Sequence, residues 1–427
     1  MRILKREQEV ILLAPTGAAG DNMGGNTIHT ALGMSIETKQ NRAPPQRIQR
    51  LWARKTIMIV DEITMVDLQT MAKINNRCKM ARSLFPDSPE LFGGLPIVVL
   101  MGDFFQFPPV KGLPLWRQPR EKKEEEVQGK EIWNRFADII ILDEQMRQAE
   151  DKPFRNLLQR ARQGQLTNDD IKVLNSKSIS AKTSFELHSK TCIVTTNALR
   201  HRLNHLALIQ FARSRGQHIY IFPGDHSRLP PAENLALEDI LSQQDEGVNI
   251  PSQGMFLYTA EMPCMVLANI SSVSGLVNRS RGTARGIIVD PEGEFNVLCG
   301  QRQHRSSRAN SSHRFTTEFF PIDDLHVLCT KPPRCVLFCG NRPQASSFHG
   351  LEDGIVPVFP IQRSVTIKNH SIRKKQVPMC PAFSLTDYKA QGQTILRRSC
   401  GSQEGQQRER WRLSSVFLFC LRTAIAV

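Results

Sequence analysis

The sequence predicts an α/β fold with parallel strands, and three observations carry that expectation. Thr56-Ile-Met-Ile-Val60 is a short apolar run rich in β-branched residues, the composition of a buried parallel strand. It runs directly into Asp61-Glu62, so two carboxylates stand at the carboxyl end of a core strand, where open α/β sheets bind their ligands. Ile97-Val-Val-Leu-Met101 repeats the pattern and ends in Gly102-Asp103, and between the two runs Asp67 to Arg82 has helical periodicity, with Leu68, Met71 and Ile74 on one face.

The remaining elements follow in order. Glu9-Val-Ile-Leu-Leu-Ala14 reads as a strand, Pro15 to Gly20 as a loop, and Thr27 to Met34 as the start of a helix. Glycines 17, 20, 24 and 25 suggest a phosphate cradle, but a P-loop needs G-x-x-x-x-G-K-[ST], and no such string occurs in the 427 residues. The loop offers backbone N–H groups and Thr16, which suits a nucleic-acid phosphate; an ordinary Gly-rich turn is the alternative. Pro86 and Pro89 end the helix that begins at Asp67.

After Met101, Gly102-Asp-Phe-Phe-Gln-Phe-Pro-Pro-Val110 is a turn stiffened by two prolines. Its polar residues Asp103 and Gln106 suit contact with a nucleotide, and its aromatics suit contact with bases. Glu121 to Glu126 reads as a solvated charge run and Ile139 to Leu142 as a strand. Phe154 to Gln163 and Thr167 to Lys177 read as helices separated by Gly164.

Thr191 to Val194 opens a second strand–helix series, with its helix from Ala198 to about Arg213. Pro230-Pro231 and Ser242 to Gly254 read as loop, and Met262 to Leu267 and Ala284 to Val289 as strands. Gln301 to Arg314 is a basic loop, and Arg363 to Lys375 alternates basic and apolar residues as an edge hairpin does. Ala382 to Leu385 is a last core strand that runs into Thr386-Asp-Tyr-Lys-Ala-Gln-Gly-Gln-Thr394.

Composition narrows the function classes. Hydrophobic content of 40% and charged content of 23% exclude a disordered chain, and 427 residues suffice for two or three domains. A formal net charge of +15 favours a polyanionic partner, most simply nucleic acid. Ten scattered cysteines with no secretory start fit a reduced, intracellular setting, and no apolar run reaches membrane-spanning length. Cys329, Cys335 and Cys339 lie near His326, but no pair has the two-residue spacing of a zinc knuckle.

A hydrophobic strand ending in Asp-Glu is the Walker B arrangement of P-loop NTPases, and further stretches extend the likeness. They are Ala14-Pro-Thr-Gly17 with Thr27-Ile-His-Thr30, Val60 to Val66, Gly102 to Val110, Met146-Arg-Gln148 with Leu157 to Asp170, Thr196-Asn197, Gly275 to Asn278, and Thr386 to Thr394. In that order they resemble the Pif/RecD-type DNA helicases of superfamily 1, from about residue 10 to residue 395. The resemblance implies two RecA-like lobes with ATP between them and single-stranded DNA across their top. It implies that Asp61 coordinates Mg²⁺ and contacts the nucleotide with Asp103, Gly392 and Gln393. It also implies that Glu62 activates water, Gln106 senses the γ-phosphate, and Arg147 is an arginine finger. Thr16, His29 and Lys389 would contact the DNA strand. The lobes are expected at residues 1–178 and 179–427, with a β-rich insertion at roughly 290–375 and a divergent tail from 397.

Three departures qualify the likeness. The P-loop that precedes the opening stretch in the family is absent, as in a truncated or decayed copy. The family has Gly where this chain has Arg279 after Asn278, and the tail Leu418-Phe-Cys-Leu-Arg422 does not match the family's final Leu-Ser-Arg string. The expected function is an ATP-dependent 5′-to-3′ DNA helicase by family, nuclear and without a membrane partner. The alternatives are a non-catalytic single-stranded nucleic-acid-binding remnant and a chain too incomplete to fold stably.

Overall fold

The computed structural model describes residues 6–34, 44–83, 89–144, 146, 151–177, 188, 190–227, 229, 235–245, 252–271, 274, 276–297, 325–341 and 348–391. The chain divides into two compact units, Met1–Thr167 and Asn168–Val427.

The first unit holds, in order, β1 (Val10–Ala14), α1 (Gly17–Asn22), β2 (Asn26–Thr27), α2 (Ile28–Leu32), α3 (Gln46–Trp52), β3 (Ile57–Val60), α4 (Leu68–Ala81), β4 (Ile97–Leu100), α5 (Glu124–Trp133) and α6 (Lys152–Arg162). The four strands form one parallel sheet in the order β2-β1-β3-β4. Val10 pairs with Ile57 and Leu13 with Val60, while Ile57 pairs with Ile97 and Val60 with Leu100, so the strands run without stagger. The runs Thr56–Val60 and Ile97–Met101 thus lie side by side and parallel, in keeping with the expected α/β fold with parallel strands.

The core of this unit lies on the sheet face covered by α4, as the 3.6-residue spacing of Leu68, Met71, Ile74 and Cys78 dictates. These side chains meet Leu13, Met58, Val60 and Trp52. Trp52 is completely buried and donates its indole N–H to the Ala31 carbonyl at 2.9 Å. Asp67 caps α4 by accepting the Thr70 N–H at 2.6 Å. Arg77, also nearly buried, donates to the Leu32 and Gly33 carbonyls at 3.0–3.1 Å, so it satisfies the open C-terminal end of α2.

Four expectations for this unit are corrected. The Pro15–Gly20 loop is largely helix: Thr16 accepts the Ala19 N–H at 3.3 Å, and this cap outweighs the glycine content. β4 is not a buried strand but the sheet edge, with Ile97 and Val99 48% and 38% exposed. Ile139–Leu142 is not a strand: it has no ladder partner among the described residues, and its side chains are 80–89% exposed. Nor is the acidic run wholly solvated, since Glu126 on α5 is fully buried against Arg120. Hydrogen bonds from Arg120 hold its carboxyl down at about 2.

The second unit opens with α7 (Asn168–Ser176), β5 (Cys192–Val194), α8 (Asn197–Ser214), β6 (Ile219–Pro223), β7 (Asp225–Ser227), α9 (Leu237–Leu241), β8 (Met255–Tyr258), β9 (Met262–Val266), β10 (Arg281–Ile288) and β11 (Phe295–Val297). It continues with β12 (His326–Cys329), β13 (Cys335–Gly340), β14 (Ile355–Val358), β15 (Ile361–Ile367), β16 (His370–Gln376), β17 (Met379–Pro381), β18 (Ser384–Thr386) and α10 (Asp387–Ala390). β18 and β5 pair in parallel, and each leads straight into a helix. The other strands form sheets ordered β14-β13-β10-β9-β17, β11-β12-β6-β8 and β15-β16-β7. The basic hairpin is present as β15–β16, turned at Lys368-Asn369, whose φ values of 44° and 68° are those of a two-residue hairpin turn; only β15 is an edge, because β16 also pairs with β7. Residues 301–314 lie outside the described residues, as does the tail from 397. No described helix is long and apolar enough to cross a membrane.

Candidate active site

All four strands of the first sheet are parallel, so everything that follows a strand end lies along one edge. Thr16 follows β1, His29 follows β2, Asp61-Glu62 follow β3, and Asp103 to Gln106 follow β4. The ladder continues one step past the strands: Asp61 N–H donates to Leu13 O at 2.9 Å, and Met101 N–H to Val60 O at 2.8 Å. This edge is the carboxyl edge, where parallel sheets place ligands because the strand ends diverge into loops there.

Glu62 has φ 53° and ψ 41°, a left-handed conformation that costs a side-chain-bearing residue about 1–2 kcal/mol. Two contacts hold it there. Its own N–H donates to Asp61 Oδ1 at 2.8 Å, and the next residue, Ile63, donates its N–H to Met101 O at 2.9 Å. The second bond ties the Asp-Glu turn to the end of β4. Gly102 makes the approach possible, because a Cβ there would sit 3.0 Å from Ile63 Cγ2 and 3.1 Å from Ile63 N. Strained backbone kept by its surroundings marks residues whose direction matters.

The turn after β4 is a closed network. Asp103 Oδ1 accepts the Phe105 N–H at 3.0 Å, and Oδ2 accepts the Gln106 side-chain amide at 3.3 Å. Arg162 at the end of α6 grips both carboxylate oxygens, with Nη2 2.5 Å from Oδ1, and its guanidinium lies 4.4 Å from the centre of the Phe105 ring. Burial alone would raise the Asp103 carboxyl, but the hydrogen bonds from Arg162, Phe105 and Gln106 leave it below its ordinary value. Phe104 turns the other way, onto Trp116 and Trp133, with ring centres 5.4 and 5.8 Å apart. Phe105 remains 68% exposed. The sequence reading did not single out Arg162, and its only local signal was its place in the basic last turn of a helix.

The carboxylate of Asp61 is a hard oxygen donor at a strand end, which fits Mg²⁺, an ion commonly held by one or two carboxylates with the rest of its shell from water and phosphate. Among the described residues no group of three or more His, Cys, Asp or Glu is placed to hold a metal by itself. The phosphate cradle of ATP is a different matter. The sequence contains no P-loop string, the source of a phosphate-gripping Lys and Ser/Thr in P-loop proteins.

The candidate nucleic-acid contacts differ in their surroundings. Thr16 Oγ1 is engaged as the cap of α1. His29 is exposed on α2, and partial desolvation together with the Lys73 ammonium lowers its imidazole, so it is neutral at pH 7. Lys389, in the second unit, is 12% exposed, and its ammonium lies 2.9 Å from Asp245 Oδ2. Arg279 takes φ 77°, the left-handed value for which glycine is favoured, and its Nη1 donates to Tyr388 O at 3.0 Å beside Lys389. The turn expected from glycine is thus made by arginine at a backbone cost. Arg147, Gly392 and Gln393 lie outside the described residues, as does Arg422.

Residues 1–172 match the family model described as PIF1-like helicase. The chain is 22% identical over 403 residues to the ATP-dependent DNA helicase PIF1 of Emericella nidulans, covering 92% of this chain and 50% of that protein. It is 27% identical over 300 residues to the human ATP-dependent DNA helicase PIF1, covering 68% and 42%. Against the ATP-dependent DNA helicase RRM3 of Saccharomyces cerevisiae it is 30% identical over 181 residues, covering 40% and 23%. The chain therefore spans half or less of the length of these relatives. Among solved structures it superposes on the Pif1 helicase of Candida albicans with a TM-score of 0.55 at 20% identity, covering 92% of this chain and 78% of that one. The Bacteroides Pif1 bound to single-stranded DNA gives 0.55 at 19% identity, with 92% and 76% covered. The fold is that of these proteins, which are built on RecA-like lobes.

Proposed function

We propose that the chain, whose residues 1–172 match the PIF1-like helicase model, is part of an ATP-dependent 5′-to-3′ DNA helicase of that family, working in the nucleus on single-stranded DNA. The observation that supports this most is the shared carboxyl edge. One parallel sheet presents Asp61 and Glu62, the Asp103–Gln106 turn, Thr16 and His29 along a single line.

The roles follow from the chemistry of the groups. Asp61 holds Mg²⁺, which when bound neutralises charge on the phosphates. Glu62, fixed in direction by its left-handed backbone, orients the attacking water and accepts its proton. Gln106, held through Asp103, transmits the state of the nucleotide to the strand-tracking surface. Arg147 stabilises charge on the transferring phosphoryl group, and Gly392 and Gln393 contact the nucleotide from the second lobe. Thr16, His29 and Lys389 contact phosphates of the DNA. The lobes divide near residue 178, with a β-rich insertion at roughly 290–375.

A second reading has its own support. With no P-loop string in the sequence, these 427 residues bind single-stranded DNA without turning over ATP. One experiment separates the two readings: ATP hydrolysis by the purified chain with and without single-stranded oligonucleotide, beside Glu62→Gln. Oligonucleotide binding with no turnover identifies the non-catalytic binder. DNA-stimulated turnover that Glu62→Gln abolishes identifies the catalyst. Absence of both activities in a folded protein defeats both.

A further inference from the structure

The second unit contains a buried charged cluster of which only Lys389 has a role above. Asp245, fully buried, lies just beyond α9 and accepts from Arg200 Nη2 at 2.8 Å and from Lys389 Nζ at 2.9 Å, both on Oδ2. Its Oδ1 is 3.7 Å from His201 Nδ1 and 3.5 Å from Gln253 Nε2. Arg200, on α8, is itself fully buried and held on another side by Asn197 Oδ1 at 3.3 Å. Lys389, on α10, reaches solvent at 12% exposed, as the neutral His201 does at 14%.

The topology explains why these three residues meet. β5 and β18 are paired in parallel, Cys192 with Ser384 and Val194 with Thr386, so α8 and α10 leave the same end of the pair. Thr196 caps α8 and Thr386 caps α10, the latter through the Lys389 N–H at 3.3 Å. Arg200 and Lys389 are therefore delivered side by side at a strand end, and Asp245 is inserted between them.

The charges do not cancel. Among the described residues, Arg200 and Lys389 both bond this one carboxylate, the Lys374 ammonium acts on it as well, and His201 adds no charge at neutral pH because burial pushes its imidazole down to about 4. Asp245 stays ionised despite burial, since Lys389 and Arg200 hold its carboxyl below the ordinary range. Arrangements chosen for stability pair buried charges or replace them with apolar groups. This one leaves a net positive charge, and it emerges where Lys389 meets solvent.

We propose that Asp245 is a positioning residue: backed by Arg200, it holds the Lys389 ammonium at the carboxyl end of β5 and β18, oriented for one phosphate of a single-stranded nucleic acid. The inference rests on the reading of Lys389 as a phosphate contact. Its physical basis is preorganisation, because a lysine side chain already held in one rotamer loses less freedom on binding than a free one.

The test is anisotropy of a fluorescent oligothymidine with the full chain, over a series of NaCl concentrations, for wild type, Lys389→Ala, Asp245→Asn and the double variant. Lys389→Ala is expected to weaken binding and to reduce the log–log salt slope by about one. Asp245→Asn raises the net charge by one, which by general attraction tightens binding. Positioning predicts the opposite: binding roughly fivefold weaker, a salt slope reduced as in Lys389→Ala, and little further loss in the double variant. If Lys389→Ala weakens binding while Asp245→Asn leaves it unchanged or tighter, the positioning role is overturned and the reading of Lys389 stands. If Lys389→Ala has no effect, that reading falls and the inference with it. Should Asp245→Asn fail to fold, judged by circular dichroism melting, acylation footprinting of the wild type decides. A held Lys389 reacts on the order of tenfold more slowly than the exposed Lys111, as befits an ammonium engaged by a carboxylate; equal rates overturn the proposal.

Discussion

Replacing Arg162 by alanine releases both oxygens of Asp103 and uncovers one face of Phe105. The Arg162 side chain is 43% exposed and that of Asp103 26%, so solvent screens the pair. Exposed ion pairs couple by about 0.2–1 kcal/mol, and the two-pronged grip puts this one at the upper end, about 1 kcal/mol or roughly fivefold in an equilibrium constant. The guanidinium on Phe105 adds about 0.5–1 kcal/mol, which Arg162→Ala loses and Asp103→Asn does not. Arg162→Ala should therefore cost about 1.5–2 kcal/mol, and a cycle of Arg162→Ala, Asp103→Asn and the double variant should return a coupling of about 1 kcal/mol.

The assay is urea unfolding followed by tryptophan emission. Trp52, Trp116 and Trp133, three of the chain's four tryptophans, belong to the first unit, and Phe104 lies against two of them. Since the Asp103 carboxyl is held below its ordinary 3.8, the pair's contribution is complete above that pH and is lost as pH falls through the lower folded value. A coupling under about 0.2 kcal/mol at pH 7, or one that survives protonation of Asp103, would refute the account of this turn.

Oligonucleotide affinity should fall steeply with salt, because a chain of net charge +15 with 7% aromatic residues binds mainly by neutralising phosphates and releasing counterions; a salt-independent affinity contradicts this. Glu126→Gln should lower the urea midpoint at pH 7 and flatten its acid dependence. The Glu126 carboxyl falls from 4.5 to about 2 on folding, so its contribution is complete above pH 4.5 and lost between there and 2. Trp52→Phe should cost about 1–3 kcal/mol by removing the indole donor from the buried Ala31 carbonyl, and Trp52→Ala about 3–5 kcal/mol through the added cavity. Chemical denaturation measures both, and losses below about 0.5 kcal/mol would mean that the site relaxes freely.

Much of the first unit was legible in the sequence because its signals are local. Consecutive β-branched residues before Asp61 and Gly102 mark strands, and the spacing of Leu68, Met71 and Ile74 marks the helix between them. A strand–helix–strand connection of that length closes readily only as a parallel crossover, so the parallel run of β3 and β4 was legible from order, whereas the roles of Thr16, His29, Glu62 and Gln106 came only with the family resemblance. What tertiary structure decided was set by residues far apart in the chain. The left-handed turn at Glu62 depends on the Met101 carbonyl, and the direction of Asp103 depends on Arg162, 59 residues away. Lys389 is held by Asp245, 144 residues distant. Whether Glu126 was solvated or buried, and whether Ile139–Leu142 found a ladder, depended on which surface lay opposite. Hydrophobic periodicity reports the face a residue takes on its own element. The partner that meets that face is chosen by packing and by closing long loops, and no local pattern encodes it.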